Sequence, residues 1–221
     1  MPDDWRFRLA DLALFRVFNK DFKHGGRFYG SIHMELPREF RPSIEIDGEK
    51  TVELDFSGLH IRMLYHRKGI AYAGDPYDLG GYPREIFKEP SLMMVNAKSE
   101  MAAKRSIYQH LRTKTNSHGR SFLMKDCDGI VWRFTQTLMD AFKEKHAQIA
   151  GDFFAGVGLE LQFLDSEIME AILKRLLKLG LVALPMHDSI VCKSGRRWTV
   201  EYIMRQEYVK VFGHPPVIHS K

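Results

Sequence analysis

Two aspartates stand where a carboxylate has no evident structural duty. Asp55 follows the strand-like run TVEL and precedes a segment of helical periodicity, while Asp188 lies where two apolar β-rich runs meet within LVALPMHDSIVCKSG (181–195). An aspartate in a hairpin is ordinarily a turn former. Two carboxylates brought side by side at the ends of neighbouring strands have a further use, because their oxygens suit a pair of Mg²⁺ ions, or Mn²⁺ in their place. Such a pair activates an attacking hydroxyl and neutralises a leaving pyrophosphate. That is phosphoryl-transfer chemistry.

The elements that must carry these residues follow from periodicity and turn residues. Asp47-Gly48 separates two alternating runs, which predicts a hairpin with strands at about 43–46 and 51–56. From Leu59 to His66 the pattern turns helical, and GDPYDLGGYP (74–83) reads as a loop. Further helices are expected at about 91–112, 128–149, 162–179 and 199–211, and an amphipathic one over 5–19. HGGRFYG (24–30) breaks that first helix with paired glycines and opens a loop or hairpin; TKTNSHGRS (113–121) is expected to be a mobile loop. The fold class implied is α+β: an antiparallel sheet carrying the two aspartates, packed on helices.

Composition bounds the setting without naming a partner. The 221 residues carry 33 Lys+Arg against 28 Asp+Glu, a formal charge of +5, which suits a polyanion. Residues 104–125 are the most one-signed stretch, with Lys104, Arg105, Arg112, Lys114, Arg120 and Lys125, and read equally as a solvated surface or a phosphate-tracking one. No run is long and apolar enough for a membrane span, MPDDWRFRL lacks the core of a secretory signal, and Cys127 and Cys192 form no disulfide framework. A reducing, cytoplasmic setting is expected.

Several short motifs resemble, in chain order, those of the polymerase domain of family A (DNA polymerase I-like) enzymes and their relatives, the phage and mitochondrial single-subunit RNA polymerases. LDFSGLHIRML is similar to that family's first catalytic motif, a strand ending in Asp-aromatic-Ser that enters a helix with Arg at the eighth position, here Arg62. The resemblance makes Asp55 a metal-binding carboxylate and the backbone carbonyl of Phe56 a metal ligand. LPMHDSIV resembles the second carboxylate motif, giving Asp188 as the other metal ligand and His187 as a neighbour of the primer end. In the fingers helix of the family, cations recur at four-residue steps and grip the triphosphate. Arg84, Lys88, Leu92 and Asn96-Ala97 take those places here, with Pro90 expected to start the helix. Leu92 and Asn96 replace the aromatic and the Tyr on which the family stacks the nascent base pair. GGRFYG resembles the Gly-Arg motif, which makes Arg27 a nucleic-acid contact, and LELQFLDSEIMEAIL resembles the palm helix whose Gln reaches the duplex, here Gln162. His60 stands where the DNA enzymes carry a Glu that blocks a ribose 2′-hydroxyl, and Ser189 where DNA enzymes carry Glu and RNA enzymes Ser.

The resemblance implies one catalytic module over 1–221: a first palm part (1–66), a fingers-like helical region (67–150) and a second palm part (151–221). Its partners would be a primer–template and nucleoside triphosphates, with a thumb or processivity partner supplied from elsewhere in a longer chain or by another protein. A DNA polymerase of plasmid or phage type is the first expectation. An RNA polymerase or primase, a non-catalytic duplex-binding replication factor, and a metal nuclease using His187-Asp188 are the alternatives.

Overall fold

The computed structural model describes residues 13–113 and 128–221. In chain order the elements are strands β1 (Phe15–Phe18) and β2 (Gly25–Tyr29), the short helix α1 (Ile32–Glu35), strands β3 (Glu45–Ile46) and β4 (Glu49–Phe56), and helices α2 (Leu59–Arg67), α3 (Glu85–Asn96), α4 (Glu100–Thr113) and α5 (Asp128–Lys145). Then follow α6 (Gly158–Lys178), β5 (Ala183–Met186), β6 (Ser189–Lys193), α7 (Arg197–Phe212) and β7 (Ile218–Ser220). Helices and antiparallel strands together make an α+β protein, as expected from the sequence. Among the described residues no helix is long and apolar enough to cross a membrane.

The chain divides into two compact units. The first takes the described parts of Met1–Leu59, Gly69–Ala73 and Glu160–Lys221, and the second those of His60–Lys68 and Gly74–Leu159.

In the first unit the strand order is β3-β4-β6-β5, with β7 also paired to β4. β4 is therefore the central strand, flanked along one edge by β3 and β7 and along the other by β6. Alternation places Leu54 and Phe56 in the core, at 0% and 3% exposure, and turns Glu53 and Asp55 to the other face. α7 closes the apolar side with Val200, Ile203, Met204 and Tyr208, whose ring lies 5.8 Å from that of Phe56. Cys192 of β6 is fully buried, and burial pushes its thiol up to about 11. The turn between β3 and β4 holds Asp47 at φ 51° and Gly48 at φ 71°, the left-handed pair expected from an Asp-Gly hairpin.

β1 and β2 form a separate two-stranded hairpin, fixed to α6 by arginines. Arg16 donates to Ser166 Oγ, Glu167 and Glu170, and its guanidinium lies over the Phe18 and Phe28 rings. A Cβ on Gly26 would come within 2.8 Å of Phe18 and 3.1 Å of Ser166 Oγ, so only glycine permits this approach. The helix expected over 5–19 is corrected here: residues 15–18 are a strand, and residues 5–12 lie outside the described part. Phe and Val suit a pleated ribbon, and pairing with GGRFY satisfies the backbone that a helix would have satisfied within itself.

The second unit is helical, with a core built on Phe87, Phe142 and Phe153; the first two rings stack at 6.1 Å. His146 is fully buried, with Nδ1 2.9 Å from the Tyr65 hydroxyl and Nε2 2.9 Å from the Pro76 carbonyl. Nε2–H donates to that carbonyl, and burial lowers the pKa of the ring. It also pins the 74–83 loop. The single helix expected over 91–112 is two, because Ser99 caps α4 by accepting the Ala102 N–H at 3.2 Å. The helix expected over 128–149 stops at Lys145, and a 3₁₀ segment, Ala147–Asp152, follows. Pro90 does not start α3: the helix begins at Glu85 and holds Pro90 inside, buried, with the Ser91 hydroxyl donating to the Lys88 carbonyl at 2.8 Å. The loop expected at 113–121 lies, beyond Thr113, outside the described residues.

Candidate active site

Strand pairing brings the two aspartates together. Asp55, the penultimate residue of β4, faces Ser189, the first residue of β6, and Asp188 is the turn residue immediately before it. Facing residues of an antiparallel pair have Cα atoms about 5 Å apart. The Phe56 N–H donates to the Asp188 carbonyl at 3.1 Å, which closes the ladder up to the turn. The Phe56 side chain is core, so any ligand role there falls to its backbone.

The site carries excess negative charge. Burial, and then the charge of Asp188, push the Asp55 carboxyl above the usual carboxylate range, while Lys221 pulls in the opposite direction. Lys221 follows β7 and sets its ammonium 3.2 Å from Asp55 Oδ2 and 3.3 Å from Glu53 Oε1. Glu53 shares the Asp55 face of β4 and also accepts the Ser189 hydroxyl at 2.8 Å. Neither Glu53 nor Lys221 stood out in the sequence. Glu53 had a signal, two residues before Asp55 on an alternating strand; Lys221 had none, since the pairing of β7 with β4 is non-local.

The hairpin tip is held from behind. His33 of α1 is buried and its Nε2–H donates to the Pro185 carbonyl of β5 at 2.8 Å. His187 sits in the left-handed region at φ 59°, its ring edge-on to Tyr29 at 5.3 Å. Partial desolvation, and then the charge of Arg27, lower the pKa of this imidazole.

Arg27 itself is turned to the protein. Its Nη2 lies 2.6 Å and its Nε 3.1 Å from Asp165 Oδ2 on α6, a carboxylate whose side chain is 2% exposed. Gln162, half-buried, is one turn before Asp165 on the same helix. Asp55, Phe56, Asp188, His187, Arg27 and Gln162 thus all belong to the first unit.

His60, Arg84, Lys88 and Asn96 belong to the second unit. Lys88 is exposed on α3. Arg84 pairs with Asp75 at 2.6 Å and lies over the Tyr77 ring at 5.0 Å. His60 is buried, at 7% exposure. The Asn96 amide donates to the Leu92 carbonyl at 2.7 Å, ending its own helix, and both residues line an open groove of about 470 Å³ with Met93 and Ala102. Of the basic stretch 104–125, Lys104 lies over the Trp132 ring at 4.4 Å and Arg112 over Tyr108 at 5.4 Å; residues 114–125 lie outside the described part.

Fold and site together define an α+β protein whose antiparallel sheet brings the carboxylate of a hairpin turn beside one on the neighbouring central strand. No protein-family model matches the sequence, and no curated protein matches it either. Among solved structures the chain is similar to the POL domain of Pol1 from M. smegmatis, in complex with DNA primer-template and dNTP, at a TM-score of 0.43 and 10% identity. The similarity covers 88% of this chain and 45% of that one.

Proposed function

We propose that this chain is a nucleotidyltransferase of the template-directed polymerase class, acting on a primer 3′-hydroxyl and nucleoside triphosphates, with DNA synthesis as the first expectation. The observation that carries the reading is the juxtaposition of Asp55 and Asp188 across the β4–β6 ladder. The donor set suits Mg²⁺. Its oxygens are hard, the ligand type that ion prefers. Two carboxylates, with water and phosphate oxygens completing the shell, is how Mg²⁺ is ordinarily held in phosphoryl-transfer sites. When bound, the ions supply the activation of the hydroxyl and the neutralisation of the leaving pyrophosphate.

The protein's own residues do the rest. Asp55 and Asp188 concentrate negative charge where cations are needed. Lys221 offsets part of it in their absence, and Glu53 holds Ser189 and Lys221 in place. Lys88, exposed on α3, is the residue for the triphosphate. His187 and Gln162 take the duplex side, and Arg27 positions the α6 surface through Asp165.

Primer extension on a primed template, with dNTPs against rNTPs, tests the reading. Asp55→Ala and Asp188→Ala should each lower incorporation by roughly 10³-fold. Full incorporation in either variant would place the chemistry elsewhere. The engagement of Arg84 by Asp75 and of Arg27 by Asp165 favours one second reading, a duplex-binding replication factor without catalysis. Mg²⁺-dependent incorporation separates the two.

A further inference from the structure

A second surface of the first unit plays no part in the carboxylate site. α7 opens with Arg197 and presents Trp198 and Tyr202 at 73% and 57% exposure. Four residues apart on one helix, the two rings share a face. Each carries a cation: the guanidinium of Arg197 lies 4.7 Å from the Trp198 ring centroid, and that of Arg175, from α6, lies 6.0 Å from Tyr202.

The nearby acids are already neutralised. Glu201 pairs with Arg205 at 2.7 Å, and Glu207 with Arg175 and Lys210, each at 2.8 Å. Arg197 Nε is buried without a hydrogen-bond partner, and among the described residues none forms a hydrogen bond or ion pair with the guanidinium of Arg196. The face is thus two exposed aromatic platforms bordered by Arg196 and Arg197, for which no acidic partner is found among the described residues, and by Arg175, which is already paired with Glu207. An apolar protein partner would leave those charges without compensation. A polyanion compensates them.

We propose that this face binds single-stranded nucleic acid, with bases stacked on Trp198 and Tyr202 and phosphates against Arg196 and Arg197. Stacking requires unpaired bases and tolerates any sequence, because every base has a π-face. A duplex offers only its backbone here. The surface is distinct from the carboxylate hairpin: β6 starts beside Asp188 and runs away from it for roughly 15 Å before α7 begins. The inference goes beyond the polymerase reading and does not depend on it.

The test uses the whole chain and a fluorescein-labelled oligothymidylate of about twenty nucleotides, followed by anisotropy. The double variant Trp198→Ala/Tyr202→Ala removes only exposed rings, so its circular dichroism and melting temperature should match the parent, while the Kd rises at least about tenfold. Arg196→Ala/Arg197→Ala should lessen the slope of log K against log salt by about 1.4, the share of two phosphate contacts on a single strand. Oligothymidylate carrying 5-iodouracil should photocrosslink to Trp198 or Tyr202. Asp55→Ala should bind as the parent does, so loss of catalysis and loss of this surface are read separately. Unchanged affinity in the aromatic variant overturns the proposal. So does competition by poly-glutamate equal to that of unlabelled oligonucleotide, which would reassign the face to an acidic protein partner.

Discussion

At the scale of single residues, Asp55 is a carboxylate placed against its own electrostatic interest. Its raised pKa means that the folded chain holds this proton more tightly than the unfolded chain does. The group's contribution to stability therefore falls as pH rises from about 4 through the raised value, and ionised Asp55 is a standing penalty at neutral pH. Asp55→Asn should raise stability at pH 7 while abolishing incorporation, the usual signature of a strained functional group. Mg²⁺ or Mn²⁺ should raise the melting temperature of the parent and leave the variant unmoved. Equal stabilisation of both by the cation would sink the assignment. The residue was legible because a lone Asp between a strand pattern and a helix pattern is conspicuous. Its ion-pair partner Lys221 was not, because nothing local announces a lysine brought in from 166 residues away by the pairing of β7 with β4.

At the scale of elements, the sequence was readable where local chemistry and tertiary structure agree. Asp47-Gly48, the β5–β6 runs around His187 and the helical period of α2 each specify one conformation, and each is found. The errors fell where tertiary packing overrode periodicity. Phe15–Phe18 has helical spacing on paper, yet Arg16 is needed on α6 and the chain takes the strand that delivers it. Asn96 and Ser99 divide a continuous helical pattern by backbone capping, a signal present in the sequence but weaker than the apolar repeat. The β3–β4 turn offers a clean test of the local term. A Cβ on Gly48 would meet nothing within 4 Å, so Gly48→Ala changes only backbone strain and should destabilise by about 1 kcal/mol in a denaturant titration, with Gly48→Asn costing less.

At the scale of the whole molecule, the two units differ in how their contacts lie along the chain. The second is built mainly from the consecutive helices of Gly74–Leu159, whereas the first joins segments from before and after it. Local contacts form quickly and distant ones wait for loop closure. In pulse-labelled hydrogen exchange during refolding, amides of α3 and α5 should gain protection before those of β4 and β6; simultaneous protection would contradict this order. The same feature bears on the chain as it leaves the ribosome. β4 is translated long before β6 and β7, and at ordinary elongation rates the interval is on the order of ten seconds. For that time the future centre of the sheet has only the two residues of β3 beside it, an amphipathic strand with open edges whose apolar face, Leu54 and Phe56, is still uncovered. Production of this protein is therefore most exposed to aggregation while synthesis is under way, and a chaperone acting on the nascent chain, or a lower growth temperature, should do more for soluble yield than any stabilisation of the finished fold.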